Sequence, residues 1–461
     1  EYHSNYSSSY RTLVWKKIID ANEPLIVIGT RSAVFLPIKN LGLIIIDEEH
    51  ESSFKQFDPN PRYNARDCGV YLGSKIKAKV VLGSATPSIE SSQNARQGKY
   101  GWVKLKERYG GIELPQIKII DLKESYEKKK MEGVFSHTLI NEINKTLQSK
   151  HQVILFQNRR GYSPILECLS CGYVPQCIQC DVSLTYHQVS NQLRCHYCDY
   201  NRLKPKQCDS CGMFSLESKG IGTQQIQEQV IKLFPGINVE RMDYDNTRGK
   251  YDFDKIIDSF SSNKIQILVG TQMLIKGLDF KNVQLVGVLN ADHLINFPDF
   301  RSYERTYQML CQVSGRAGRY EKKGKVFIQT FQSDNEIFKS IENYDYELMF
   351  ENQKIERKKF KYPPYVKLIK ITFKNKSIHL LNESSQWFYN VLNQNYNGTI
   401  LGPVFPYVSK IRNLFQKQLL IKIDSDLNQF QTKKIIFKIV SSFHSISKYR
   451  STKLIFDVDP Y

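Results

Sequence analysis

Leu41-Gly42-Leu43-Ile44-Ile45-Ile46-Asp47-Glu48-Glu49-His50 joins a short β-branched run to a block of acidic residues. A run that is apolar throughout, without alternation, indicates a strand buried on both faces of a parallel sheet. The pattern recurs along the chain. Val80-Val81-Leu82 runs into Gly83-Ser84-Ala85-Thr86-Pro87, and Val153-Ile154-Leu155-Phe156 leads to Asn158-Arg159-Arg160-Gly161. Residues 265–269 lead to Gly270-Thr271-Gln272, and residues 285–289 to Asn290-Ala291-Asp292. Helix-length segments lie between these runs, so the fold class is α/β with parallel sheets. In such sheets ligands gather beyond the carboxyl ends of the strands, where these polar clusters lie.

The strands fall into two groups. One lobe is expected over residues 1–103, a polar linker over 104–133, and a second lobe over 134–346 with a cysteine-rich insertion at 166–214. A further linker is expected over 347–364, where Tyr362-Pro363-Pro364-Tyr365 reads as an extended interdomain link, followed by a C-terminal α+β domain over 365–461. The length of 461 residues suits about three domains. With 41% hydrophobic and 24% charged residues, collagen-like, coiled-coil and wholly disordered chains are excluded. No apolar run approaches the ~20 residues that cross a bilayer, and no membrane partner is expected. Lys plus Arg exceed Asp plus Glu by 65 − 46 = 19, which favours an anionic partner such as nucleic acid.

Eight of the ten cysteines form four Cys-x2-Cys pairs: Cys168/Cys171, Cys177/Cys180, Cys195/Cys198 and Cys208/Cys211. Two cysteines two residues apart in a tight turn aim both sulfurs at one tetrahedral ion, so four pairs provide for two zinc ions. A hairpin joins the middle pairs, which leaves the outer pairs to close around them. The expected sites are therefore nested: Cys168, Cys171, Cys208 and Cys211 in one, Cys177, Cys180, Cys195 and Cys198 in the other. Closed four-thiolate sites lack the open position of catalytic zinc, so both ions are expected to be structural. His187 and His196 are alternative ligands, and Cys68 and Cys311 read as small buried apolar residues.

Phosphoryl transfer needs one carboxylate near Mg2+ and another group to orient water; Asp47 suits the metal and Glu48 the water. In Gln312-Val313-Ser314-Gly315-Arg316-Ala317-Gly318-Arg319, two arginines three apart share a face and suit charge developing on a phosphate. Between Phe54 and Asp67, aromatic residues alternate with cations, a composition suited to base stacking with phosphate contact.

In this order and spacing, the acidic turn, Gly83-Ser84-Ala85-Thr86 and the arginine segment resemble motifs II, III and VI of superfamily 2 helicases. Gly29-Thr30-Arg31-Ser32-Ala33 resembles motif Ib, Asn158-Arg159-Arg160-Gly161-Tyr162 motif IV, and Gly270-Thr271-Gln272-Met273 with Lys276-Gly277 motif V. The cysteine pairs inside the second lobe resemble the replication-restart helicases, as do Gly220-Ile221-Gly222-Thr223, Asp299-Phe300-Arg301-Ser302, Gly402-Pro403-Val404 and Asp457-Val458-Asp459-Pro460.

The resemblance implies two RecA-like lobes, the first incomplete, in an ATP-dependent 3′–5′ DNA helicase that remodels the lagging arm of stalled forks and assembles the primosome. It implies ATP with Mg2+ and two zinc ions as cofactors. Forked and single-stranded DNA, primosome proteins, a replicative helicase loader and single-stranded-DNA-binding protein would be the partners, in the cytoplasm at the nucleoid. Asp47 would bind Mg2+, Glu48 polarise water, Gln312 sense the γ-phosphate, and Arg316 and Arg319 reach it. His50, Ser84 and Thr86 would couple hydrolysis to lobe movement. Thr30, Arg31, Arg159, Arg160 and Thr271 would contact nucleic acid, as would Phe54, Lys55, Arg62, Tyr63 and Arg66 of an aromatic-rich loop. None of the three Gly-Lys pairs is followed by Ser or Thr, so a phosphate-cradling loop is expected upstream of Glu1 and these residues alone are expected to lack ATPase activity. The alternatives are a non-catalytic DNA- or primosome-binding module, or an RNA-directed motor.

Overall fold

The computed structural model describes residues 1–461 except 4–5, 106, 108–110, 112, 158–164, 169–170, 181, 188–189, 218–221, 244–245, 248–251, 275–277, 279, 319–322, 425–427 and 461. The chain forms two compact units, one of Glu1–Gly101 with Lys361–Tyr461 and the other of Trp102–Phe360.

In the first unit, β1 (Leu43–Ile46) pairs in parallel with β2 (Lys79–Leu82) across helix α1 (Ala65–Ile76), and α2 (Ile89–Arg96) follows. Helix α1 approaches closely because it offers glycines to the sheet: a Cβ on Gly73 would lie 2.3 Å from Val80 Cγ2, and one on Gly69 would lie 3.1 Å from Ile46 Cδ1. Side chains alternate across a strand, so the helix covers Ile44, Ile46 and Val80. Leu43, Ile45 and Val81 stay exposed on the other face. The expectation of burial on both faces is thus corrected for this lobe.

It holds in the second unit. There β3 (Gln116–Asp121), β4 (Gln152–Phe156), β5 (Val239–Met242), β6 (Ile267–Gly270), β7 (Val283–Val288) and β8 (Lys325–Thr330) form one parallel sheet in the order β5-β6-β4-β7-β8-β3. Val153 to Phe156 are completely buried. Helices α3 (His137–Gln148) and α4 (Thr223–Leu233) pack Leu139, Ile143, Ile226 and Val230 on them.

Two expected linkers are corrected. Residues 104–133 contain β3, an edge strand whose Ile117 and Ile120 are buried while Gln116 and Lys118 face out. Residues 347–364 contain most of helix α6 (Tyr346–Lys359), which packs on α5 (Ser302–Ser314) and buries Met349, Phe350, Gln353 and Arg357. Tyr362-Pro363-Pro364-Tyr365 forms a turn with Tyr362 buried under the Lys422 ammonium, 3.9 Å from the ring centroid, rather than an extended link.

The C-terminal part of the first unit is an antiparallel sheet in the order β10-β11-β9-β12, made of β9 (Val366–Asn375), β10 (Thr399–Val404), β11 (Leu414–Asp424) and β12 (Lys453–Val458). Helices α7 (Ile378–Asn395) and α8 (Gln429–Ser445) lie on it and pack Phe388 and Phe443 against Phe373 of β9. Among the described residues, no helix is long and apolar enough to cross a membrane.

Candidate nucleotide, nucleic-acid and metal sites

The acidic turn is assembled by strand register. Ile46 lies opposite Leu82, so Asp47 and Gly83 leave the sheet side by side. Gly83 N–H donates to the Ile46 carbonyl at 2.8 Å, and Glu49 N–H to the Gly83 carbonyl at 3.0 Å. Glu48 sits at φ +49°, a left-handed conformation that non-glycine residues adopt at a cost of about 1 kcal/mol or more. The turn exposes the Asp47 carboxylate, which accepts only the Glu48 N–H at 3.0 Å and has no cation paired with it among the described residues. Glu48 Oε2 is buried without a hydrogen bond, 3.6 Å from His50 Nδ1. An exposed carboxylate beside a half-exposed one that keeps a single buried, unsatisfied oxygen fits a metal ligand next to a group that orients water.

His50 ties this turn to the next. Its Nδ1 lies 2.7 Å from Ser84 Oγ, which accepts the Thr86 N–H at 3.0 Å. Glu49 anchors the arrangement from below, where it accepts from Ser88 N–H (2.6 Å), Ser88 Oγ (3.1 Å), Ser91 Oγ (2.8 Å) and Arg66 Nη1 (3.0 Å). Sequence reading passed over Glu49. Its partners Arg66, Ser88 and Ser91 lie 17, 39 and 42 residues away along the chain, so local spacing carried no cue.

Arg66 is 8% exposed and pairs with Glu49 at 3.0 Å. Lys55 and Arg62 are likewise turned inward, to Asp457 at 3.0 and 3.1 Å. Arg31 donates to the carbonyls of Ser53 (3.3 Å) and Lys55 (3.0 Å), while Thr30 is exposed beside it. Tyr63 meets Phe35 edge-on at 4.7 Å, and Phe54 is half-buried. The exposed aromatic of the loop is Phe57, which the residue-by-residue expectation left out.

In the second unit, Gln312 lies in the last turn of α5, and Arg316 follows Gly315 at its C-cap, with its guanidinium donating to the Leu278 carbonyl. The first turn of α5 is fixed by charge. Glu304 accepts from Arg357 Nη2 at 2.5 Å and lies 3.7 Å from Arg301 Nη1, and both guanidinium groups stack over Phe300. Thr271 follows β6 and is buried. Arg159, Arg160 and Arg319 lie outside the described residues.

At the carboxyl end of β7, burial raises the Asp292 carboxyl to about 6, against the opposing hydrogen bonds from Phe331 N–H and Thr330 Oγ1, both 2.9 Å. Burial also pushes Cys311 up to about 12, in keeping with an inert buried thiol.

The eight cysteines form two groups of four, Cys168/Cys171/Cys208/Cys211 and Cys177/Cys180/Cys195/Cys198, with the sulfurs of each group within 4.8 Å of one another. Sulfur pairs 168–211, 171–208 and 177–198 are each 3.6 Å apart. Zinc–sulfur bonds of ~2.3 Å in a tetrahedron place sulfurs about 3.8 Å apart, so both groups could hold zinc. The backbone prepares them. Gly172 and Gly212, at φ +70° and +73°, return N–H bonds to the carbonyls of Cys168 and Cys208, and Asp199 does so to Cys195. The N–H groups of Tyr197 and Ser210 point at Cys195 and Cys208 Sγ, 3.4 Å away. His187 and His196 face one another, Nε2 to Nε2 at 3.2 Å, outside both groups.

Family models match along most of the chain: "DEAD/DEAH box helicase" over residues 1–95, "PriA DNA helicase Cys-rich region (CRR) domain" over 177–202, "Helicase conserved C-terminal domain" over 203–321, and "Primosomal protein N C-terminal domain" over 358–461. The curated relatives include the replication restart protein PriA of Bacillus subtilis, 38% identical over all of this chain and 56% of its own length. That of Synechocystis is 39% identical over all of this chain and 55% of its own length. That of Haemophilus influenzae is 36% identical over 99% of this chain and 62% of its own length. The chain therefore spans a little over half the length of these relatives. With four domain matches in helicase order and this identity along its whole length, the chain belongs to the replication restart protein PriA family of superfamily 2 helicases.

Proposed function

We propose that this chain is part of an ATP-driven DNA helicase that moves 3′ to 5′ on single-stranded DNA, remodels the lagging arm of stalled forks and reloads the replication machinery. The observation that carries the motor reading is the 2.7 Å contact between His50 Nδ1 and Ser84 Oγ. It joins the turn bearing the metal and water carboxylates to the neighbouring strand's turn, the link a motor needs between nucleotide state and movement. Asp47 would hold Mg2+ and Glu48 would orient the attacking water. Gln312, Arg316 and Arg319 would answer the γ-phosphate, whose transferring charge the ion neutralises when bound. Zinc in the two cysteine groups would be structural, because four thiolates leave no open position. DNA would be the nucleic acid, with primosome proteins, a helicase loader and single-stranded-DNA-binding protein as partners, in the cytoplasm at the nucleoid.

Direction is testable with the full-length gene product on duplexes bearing one single-stranded tail. Unwinding of the 3′-tailed duplex, with little of the 5′-tailed one, is expected; the reverse preference contradicts the reading. A second reading, a non-catalytic DNA-binding module, is favoured for the 461 residues taken alone. They contain no Gly-x-x-x-x-Gly-Lys-[Ser/Thr], so the β- and γ-phosphates would lack a backbone cradle and a lysine.

A further inference from the structure

The tail Asp457-Val458-Asp459-Pro460 takes no part in the phosphate or zinc chemistry. Asp457 is the penultimate residue of β12, and its carboxylate is buried. Its Oδ1 faces Lys55 Nζ at 3.0 Å and its Oδ2 faces Arg62 Nη1 at 3.1 Å; Lys55 Nζ also donates to the Val458 carbonyl at 2.6 Å. Lys55 and Arg62 stand on opposite sides of one loop's neck. Lys55 bridges Asn64, Gln56 N–H donates to the Tyr63 carbonyl at 2.8 Å, and Gln56 Nε2 ties the carbonyls of Pro59 and Pro61 at 2.9 and 3.0 Å. One carboxylate therefore grips both sides of the base from which residues 57–61 project. Phe57, 48% exposed, is the aromatic this projection offers to solvent.

A buried ion pair is a poor source of stability, since desolvation offsets its Coulomb energy, and fixing one arrangement against others is its best-attested use. Lys55 is 2% exposed, so its ammonium is withdrawn from any phosphate and serves the loop's position. We propose that Asp457 is a positioning residue of the aromatic-rich loop: through Lys55 and Arg62 it sets the direction in which Phe57 meets a single-stranded base. The C-terminal domain thereby contributes to how the loop reads DNA. This rests on the reading of the loop as a nucleic-acid contact.

The test is a double-mutant cycle on oligo(dT) binding by the protein, read by fluorescence anisotropy, with Phe57→Ala, Asp457→Asn and the two combined. Stacking of one base corresponds to roughly 5- to 150-fold in affinity, the equivalent of ~1–3 kcal/mol. Each single variant is expected to weaken binding within that range, and the double variant to bind no more weakly than the weaker single. Arg62→Gln, at the more accessible end of the clasp, should reproduce Asp457→Asn and keeps the test available if the latter fails to fold. Wild-type affinity in folded Asp457→Asn or Arg62→Gln, or losses that multiply with Phe57→Ala, overturn the proposal while leaving the function standing. Failure of the wild-type protein to bind oligo(dT) overturns the functional reading, and the proposal with it.

Discussion

Three neighbouring carboxylates at the end of β1 have three different environments, and charge alone does not tell them apart. Asp47 is exposed and unpaired, Glu48 carries a buried oxygen without a donor, and Glu49 is buried under four donors. Glu49→Ala removes the buried carboxylate that pairs with Arg66 Nη1, while the exposed Asp67 stays on Nε, and is expected to cost about 3–5 kcal/mol in urea unfolding. Asp47→Ala, at an exposed site, should change stability by no more than about 0.5 kcal/mol. A small loss at Glu49 would mean that the ion pair does not organise the turn. Asp292 gives a pH signature. Its folded pKa of about 6 lies above the ordinary 3.8, so its stabilising, protonated contribution is complete below about pH 4 and is lost as pH rises through 6. Asp292→Asn should therefore gain in melting temperature relative to wild type between pH 5 and 7, a difference that a pH-independent offset would contradict. Asp47, Glu48 and the cysteines were legible in the sequence because their chemistry is written in local spacing. The roles of Lys55 and Arg62 were not, because their partner Asp457 lies about 400 residues away along the chain.

Elements were legible where burial was complete. Strands β4, β6 and β7 of the second unit were identified by their apolar runs, while β5 and β8, which carry Glu240, Arg241, Lys325 and Gln329, were passed over. Strand β3 escaped because an edge strand covered on one face alternates, and Gln116-Ile117-Lys118-Ile119-Ile120-Asp121 reads as polar linker in isolation. Helix α6 escaped for a related reason: its many charges conceal a buried stripe ending in Arg357, which is 1% exposed and held by Glu304. The nested pairing of the cysteine block was legible from the two spacings, five residues between the outer and inner pairs against fourteen within the hairpin. Metal analysis of the purified protein should find two zinc ions per chain, and Cys195→Ser should lower this to about one by opening a single site. A chain that holds no zinc, or that loses both ions together, would contradict two independent four-thiolate sites.

At the scale of the molecule, a surplus of 19 positive charges, a parallel-sheet lobe with a zinc-binding insertion and a C-terminal antiparallel domain are arranged in one chain order. The order itself was legible, since the acidic turn, the Gly83-Ser84-Ala85-Thr86 turn and Gly270-Thr271-Gln272 each lie at the carboxyl end of a strand, whereas the arginine segment ends helix α5. What the sequence concealed was that the C-terminal domain shares a compact unit with the acidic lobe, through a clasp that only tertiary structure reveals. Under the proposed function, the acidic turn drives a DNA-responsive motor. ATP hydrolysis by the full-length gene product, with and without single-stranded DNA, tests it most directly when wild type is compared with Glu48→Gln. DNA-stimulated turnover is expected, falling by roughly 10²–10⁴-fold in the variant, the contribution of a positioned general base, with DNA binding retained. Turnover indifferent to DNA, or undiminished by Glu48→Gln, would contradict it.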